Sequence, residues 1–168
     1  MPSATPRVTL QIRRDATPDA MTDAPLLAGR SPIRQVGAPT LTWWKRLAPT
    51  DALRNPGNPR AYVQLTRSGH AIDHTMWFRH ELFVDASWAP APRGGGEDAL
   101  IDFDVTFLGV RMGVNQLRVT CLARRAAHHR FPTTRLYWNT ALRSLLGAND
   151  CTSKYLVLTC DSLDQYGL

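Results

Sequence analysis

Residues 101–122, IDFDVTFLGVRMGVNQLRVTCL, alternate between apolar and polar side chains along two runs. The apolar positions are Ile101, Phe103, Val105 and Phe107 in the first run and Leu117, Val119 and Cys121 in the second. A period of two is typical of a strand with one buried face. Gly109 and Gly113 lie between the runs, where glycine favours a turn or a β-bulge. The sequence therefore predicts a long β-hairpin.

Shorter patterns predict the remaining elements. Strands are expected at 61–66 and 155–160, and ordered structure is expected to begin at TLTWWKRL, residues 40–47. One helix is expected over residues 75–84 with Asp73 as its cap, and Trp77, Leu82 and Phe83 facing inward. A second helix is expected from Thr133 or Thr134 to Leu146, with Gly147 ending it. The predicted fold is mainly β with two short helices.

The N-terminal 40 residues have a different composition. They hold six of the twelve prolines, separated by small and polar residues. Such a segment buries little apolar surface. It is predicted to be a flexible proline-rich arm or linker, and residues 41–168 are predicted to form one domain.

The charge is strongly one-sided. Net charge is +6, and only Lys45 and Lys154 among the twenty basic residues are lysines. Residues 105–149 contain no acid. The same span carries Arg111, Arg118, Arg124, Arg125, Arg130, Arg135 and Arg143, with His128 and His129. Such a run of positive charge is typical either of a solvent-exposed face or of a surface that binds phosphates. Asn115 and Asn139 are candidates for pairing with adenine.

Known nuclease signatures are missing from the sequence. No histidine begins the His-x-Lys motif of phospholipase D-type enzymes, and neither lysine has an acid two positions before it. Asp102 and Asp104 could hold Mg²⁺, but the outer face of an ordinary strand is the simpler interpretation. His70, His74 and His80 are expected at the surface. We therefore predict no catalytic residue, no metal and no cofactor.

Cysteine usage and hydropathy indicate the compartment. Cys121, Cys151 and Cys160 match no zinc or disulfide framework, which predicts reduced and mostly buried thiols. No apolar run approaches the length of a membrane span, and the N-terminus lacks the apolar core of a secretory signal. The sequence predicts a cytoplasmic protein that does not enter a membrane.

The order of motifs resembles a known family. WWKRLAPTDALRNPGNPRAYVQLTRSGHAIDHTMWFRHELF, a loop, FDVTFLGVRMGVNQLRVT and TTRLYW follow one another over roughly residues 42–160. This order resembles the C-terminal B3-like DNA-binding domain of the phospholipase D-type restriction endonuclease family. The resemblance implies a seven-stranded open β-pseudobarrel with two short α-helices. The nuclease domain that usually precedes it does not match this chain, so no catalysis is implied.

In that family two arms grip the major groove of double-stranded DNA. Carried over to this chain, the first arm comprises Thr50, Arg54, Asn55, Asn58 and Arg60, with Arg67 nearby. The second arm comprises Arg124, Arg125, His128, His129, Arg130 and Arg135. Arg54, Arg60, Arg118 and Arg124 are expected to contact phosphates. The implied function is sequence-specific DNA binding, linked to a nuclease encoded elsewhere.

Two other functions remain open from the sequence. The chain could be a protein-interaction subunit of a defence or toxin–antitoxin complex, with Trp43, Trp44, Trp77 and Trp88 including interface anchors rather than core residues. It could also be a small metal-dependent nuclease that uses Asp102, Asp104 and a histidine. Salt separates the first alternative from DNA binding, because phosphate contacts weaken steeply with ionic strength.

Overall fold

Eight strands and two short helical segments make up the described part of the chain. The computed structural model describes residues 8–15, 40–54, 60–92, 95–122 and 132–161. The strands are β1 Val8–Arg13, β2 Thr40–Arg46, β3 Tyr62–Leu65, β4 Ala89–Pro90, β5 Gly96–Phe107, β6 Val110–Leu122, β7 Thr133–Tyr137 and β8 Tyr155–Asp161. A π-helical segment spans Phe78–Leu82, and helix α1 spans Thr140–Ala148. Among these residues, no helix has both the length and the apolar character needed to span a bilayer.

The strands form one curled, open half-barrel sheet, which confirms the mainly β class. Seven strands follow the order β2–β8–β1–β5–β6–β7–β3, and the two-residue β4 pairs with β5 beside this path. Only the β1–β5 pair is parallel among the described pairings. The open edges are therefore β2 and β3. These two strands carry the residues that flank the first predicted DNA arm.

Strand β1 corrects the predicted domain boundary at residue 40. Val8, Leu10 and Ile12 are buried in the core, and β1 lies between β8 and β5 in the sheet. The expectation of a flexible arm over 1–40 is thus wrong for residues 8–13. The alternating sequence VTLQIR forms a strand despite the surrounding prolines, because its partners shield both of its edges. Residues 16–39 lie outside the described residues.

The predicted hairpin is confirmed. Strands β5 and β6 pair from Gly96↔Leu122 to Phe107↔Val110. Leu108 and Gly109 form a two-residue turn in which both φ angles are positive, at 48° and 90°. Turns of this kind match the right-handed twist of a hairpin. The register shifts between Val105 and Thr106, opposite Gly113 with its φ of 75°.

Both predicted helices need correction. Residues 133–137 form strand β7, and α1 begins only at Thr140, where Asn139 Oδ1 accepts a hydrogen bond from Leu142 N at 2.9 Å. The helix then passes through Gly147 and ends at Ala148. Two threonines at 133–134 favour a strand, since β-branched side chains pack well on a pleated sheet. Within the predicted helix 75–84, the helical segment is Phe78–Leu82, which has π geometry and follows Trp77 as its N-cap.

The tryptophans pack mainly into or against the core. Trp43 is fully buried and meets Phe78 edge-on, while Trp77 and Trp88 are partly buried against the core. Trp44 is partly buried and contacts the His70 and Tyr155 rings. Cys151 and Cys160 are buried and Cys121 is partly buried, which agrees with the prediction of mostly buried cysteines.

Side chains bridge the two open edges of the sheet. Trp43 Nε1 donates to Thr66 O at 2.9 Å, and Lys45 Nζ donates to Gln64 O at 3.3 Å. His70 Nε2 lies 3.2 Å from Trp44 N and 3.0 Å from Trp44 O. These bonds tie β2 to β3 and to the turn after it. Strand β3 is thereby held by β7 on one side and by these side chains on the other.

Candidate nucleic-acid interface

Six of the predicted DNA-contacting residues lie in the described part of the chain. They are Thr50, Arg54, Arg60, Arg67, Arg118 and Arg135. The other seven lie outside the described residues, in the segments 55–59 and 123–131. These seven are Asn55, Asn58, Arg124, Arg125, His128, His129 and Arg130. What the structure gives for both segments is where they attach to the sheet.

The two segments attach at opposite ends of strand β7. Segment 55–59 leads through Arg60 into β3, whose first residue Tyr62 pairs with Tyr137 at the end of β7. Segment 123–131 joins the end of β6 to the start of β7, where Leu122 pairs with Thr133. Four residue steps along a strand span about 13 Å. The outer face of β7 and its neighbours therefore connects the bases of the two predicted arms.

Three arginines and two tyrosines occupy this outer face. We call Arg60, Tyr62, Arg118, Arg135 and Tyr137 the Arg–Tyr face. Along β3 and β7 the buried residues Val63, Leu65 and Leu136 alternate with these partly exposed ones. The alternation places the tyrosine rings on the side of the sheet away from the core.

The arginines of this face stack on its tyrosine rings. The Arg118 guanidinium carbon lies 4.1 Å from the Tyr137 ring centre, and that of Arg135 lies 4.5 Å from the Tyr62 ring centre. Arg60 approaches the Tyr62 ring at 6.0 Å. The two rings are 5.3 Å apart. The three guanidinium–ring distances fall within the range of cation–π attraction.

Acidic residues compensate this face only weakly. Arg118 Nε lies 3.9 Å from Asp98 Oδ2, at the limit of an ion pair. Within the described ranges, no ion pair is found for Arg60 or Arg135. Arg135 Nε is buried and has no hydrogen-bond partner among the described residues. The face therefore keeps most of its positive charge.

A row of polar side chains crosses strands β5, β6, β7 and β3 and meets the Arg–Tyr face at Arg135. Asp98 pairs with Thr120 across β5 and β6, Thr120 with Arg135 across β6 and β7, and Arg135 with Gln64 on β3. Asp98 Oδ1, Thr120 Oγ1 and Arg135 Nε are all buried without a hydrogen-bond partner in the part that the structure describes. Buried polar atoms are usually satisfied. The three unsatisfied buried atoms therefore lie on neighbouring residues of one row across β5, β6 and β7.

The base of the first predicted arm is rigidly anchored. Asp51 is buried, and its Oδ2 accepts from Ala48 N at 3.1 Å and from Lys45 Nζ at 2.9 Å. Trp138 Nε1 donates to Asp51 O at 3.1 Å. Partly exposed Thr50 and exposed Arg54 lie on this turn, and Arg54 Nε reaches Asp150 at 4.0 Å. The turn before segment 55–59 is thereby fixed to the end of β7.

Arg67 lies apart from the first arm. Strand β3 separates it from Arg60, and its Nε donates to His70 O at 3.0 Å. It is exposed near the paired residues Leu65 and Thr134, and so closer to the attachment of segment 123–131. Its predicted grouping with Arg60 reflected closeness in sequence, which an intervening strand does not preserve.

The two asparagines predicted to read adenine are engaged elsewhere. Asn139 Nδ2 donates to Asn115 Oδ1 at 3.0 Å, while Asn139 Oδ1 caps α1. Asn115 Nδ2 donates to Gly113 O at 3.3 Å. Both amide groups therefore hold α1 against β6, and a bidentate contact with a base would break these bonds.

The aspartates of the nuclease alternative also have partners. Asp104 accepts from Arg111 Nη2 at 2.8 Å, and this arginine holds the Asp104 pKa below its ordinary value. Asp102 Oδ1 accepts from Gln116 Nε2 at 3.2 Å. No cluster of three or more histidine, cysteine or acidic residues suited to a metal ion occurs within the described ranges.

Sequence reasoning missed Tyr62 and Tyr137. Their alternation with buried residues in AYVQLT and TTRLYW was the available signal, but it does not show that the two strands pair. The fold and this surface define a mainly β half-barrel protein with an arginine-rich, tyrosine-backed outer face. Comparison with protein-family models, curated proteins and solved structures finds no match. The likeness to a B3-like domain therefore stands on the sequence pattern alone.

Proposed function

We propose that this protein binds double-stranded DNA through the Arg–Tyr face and the two segments attached at its ends. The observation that carries the proposal is the position of the face: three weakly compensated arginines lie between the bases of both predicted arms. A polyanion lying across β7 would meet these arginines and both segments together.

Physical chemistry supports a division of roles. Arginines on rigid strands suit contacts with phosphates, which position a protein on the duplex but carry little sequence information. Base edges would be read by the segments that contain Asn55, Asn58, Arg124, Arg125, His128, His129 and Arg130. The resemblance to a B3-like domain supports sequence-specific binding of this kind. A nuclease acting in trans in the cytoplasm is the partner that the same resemblance suggests.

A labelled pool of random duplexes tests the proposal. Binding should be measured by fluorescence anisotropy at about 50 and about 200 mM salt, followed by selection and sequencing of the bound fraction. Three phosphate contacts alone would lower the affinity by about 40-fold over this range. An enriched short motif would indicate sequence reading by the attached segments. Absence of binding at both salt concentrations would refute the proposal.

One observation favours protein interaction as a second candidate. Strand β6 pairs with β7 only from Val119 onward, and Val110, Met112 and Val114 before it are exposed. Among the described pairings, residues 110–118 of β6 pair with β5 on one edge only, and a strand with one open edge and apolar side chains can accept another chain. A protein that acts only through such an apolar contact would bind no duplex at either salt concentration, so the anisotropy series also separates the two candidates.

A further inference from the structure

We infer that Tyr62 and Tyr137 are positioning residues that hold Arg60, Arg118 and Arg135 as a preformed phosphate site. In this arrangement the Arg–Tyr face supplies affinity for the DNA backbone, whatever the sequence, and the attached segments supply base preference. The inference rests on the proposed function and assigns the two tyrosines a role within it.

Strand pairing fixes the positions of the two rings. Tyr62 and Tyr137 are direct partners in the β3–β7 register, and Arg118 stacks on Tyr137 from β6. The face thus spans three adjacent strands, a width of about 10 Å between the outer two. Because both rings project from a hydrogen-bonded ladder, the guanidinium groups above them occupy defined places.

Stacking keeps the donors of an arginine available. A guanidinium over a ring uses its planar face, whereas its five N–H groups point outward along its edges. Phosphate oxygens bind those edges, often in pairs. Arg135 Nε, buried without a partner among the described residues, is one donor that the protein itself does not satisfy.

Ordering the side chains in advance also strengthens binding. An arginine free in solvent loses rotamer freedom when it binds a phosphate, and this loss lowers affinity by roughly two- to tenfold for each side chain. The tyrosines impose much of that order before DNA arrives. Removing the rings should therefore weaken binding although every arginine remains.

Paired substitutions separate the ring from the hydroxyl. The Tyr62→Leu/Tyr137→Leu variant removes both rings, and the Tyr62→Phe/Tyr137→Phe variant keeps them. On a labelled duplex, the leucine variant should bind about 5- to 20-fold more weakly, by the same factor for a selected motif and for a scrambled duplex. The phenylalanine variant should restore most of this loss.

Salt dependence and base preference distinguish positioning from mere structural support. The leucine variant should keep the wild-type dependence of affinity on salt, because all three arginines still neutralise phosphates, and it should select the same motif. Equal binding by the leucine and phenylalanine variants would overturn the inference, as would a changed motif. Circular dichroism and thermal melting check the fold. If the leucine variant does not fold, Arg118→Lys/Arg135→Lys tests the same point, because lysine keeps the charge but lacks the planar stack; wild-type affinity would then overturn the inference.

The two proposals fail differently. A wild-type protein that binds no duplex at either salt concentration overturns the proposed function, and the tyrosine inference with it. If the wild-type protein binds DNA in a salt-dependent manner and the Tyr62→Leu/Tyr137→Leu variant binds as tightly as the wild type, only the inference about Tyr62 and Tyr137 is overturned.

Discussion

Two arginines on strand β6 have opposite kinds of partner. Arg111, near the hairpin turn, donates from Nε and Nη2 to the Asp104 carboxylate at 3.1 and 2.8 Å. The guanidinium carbon of Arg118, farther along the strand, lies 4.1 Å from the Tyr137 ring centre, and its Nε lies 3.9 Å from Asp98 Oδ2, at the limit of an ion pair. Both side chains are substantially exposed, at 72% and 46%.

The partner decides what an exposed arginine can do. A carboxylate uses the N–H edge of the guanidinium and cancels its charge. An aromatic ring uses the flat face, orients the group and leaves its charge and most of its donors available. The position of Arg118, just before the stretch of β6 that pairs with β7, therefore offers charge to an anion, while the position of Arg111 near the turn keeps its charge balanced.

The largest expected difference is between removing two arginines of the Arg–Tyr face and removing Arg111 near the hairpin turn. Arg118→Ala/Arg135→Ala should lower duplex affinity by roughly 10- to 100-fold and reduce the salt slope by about 1.8, the value for two phosphate contacts. Arg111→Ala should change affinity by less than about twofold, since its charge is already paired. Anisotropy titrations over a salt series measure both quantities.

The controls for this pair are straightforward. Each variant should show the thermal transition of the wild type within a few degrees, because all three side chains are at least partly exposed. If Arg111→Ala weakens binding as much as the double variant does, the charge of the whole strand matters and the Arg–Tyr face has no special place.

Local patterns predicted much of the fold, and pairing between distant segments explains what they missed. The β5–β6 hairpin follows from alternation and a glycine-containing turn within 22 residues. Strand β1 was not predicted from the sequence, because the strands that pair with it, near Phe103 and Cys160, lie far along the chain. Strand β7 was mistaken for the start of α1, since its pattern is too short to separate strand from helix without its neighbours.

The candidate site shows the same limit. Composition and the acid-free span indicated an anionic partner, and Arg60, Arg118 and Arg135 were selected from the sequence. Their assembly depends on the register that sets Tyr62 opposite Tyr137. The sequence holds both tyrosines but not that register, so it gave the charges without the rings that orient them.

A smaller effect is expected where an acid reaches the face. Asp98 is the only described acid within 4 Å of an Arg–Tyr arginine, through its 3.9 Å contact with Arg118. Asp98→Asn removes this negative charge while keeping the shape of the side chain. Affinity for duplex DNA should rise by about two- to fivefold, the usual size of a partly exposed charge pair.

Weaker binding by Asp98→Asn would contradict this prediction. If Asp98→Asn weakens binding, Asp98 holds Arg118 in place and Tyr137 alone does not position it. Thermal melting of the variant without DNA shows whether a lost contact in the row with Thr120 has loosened the sheet instead.

The smallest effect concerns acid rather than DNA. Arg111 lowers the Asp104 pKa below its ordinary value of 3.8, chiefly through their hydrogen bonds, so the pair stabilises the fold fully above that pH and is lost as pH falls through the lowered pKa. The contact between Arg118 and the Tyr137 ring contains no carboxylate. The difference in melting temperature between wild type and Asp104→Asn should therefore be small, constant from about pH 7 to about pH 5, and shrink below about pH 4. The corresponding difference for Tyr137→Leu should stay constant through the same range. If both differences shrink together, acid acts on the sheet as a whole, and the contrast between a carboxylate-paired and a ring-stacked arginine does not extend to stability.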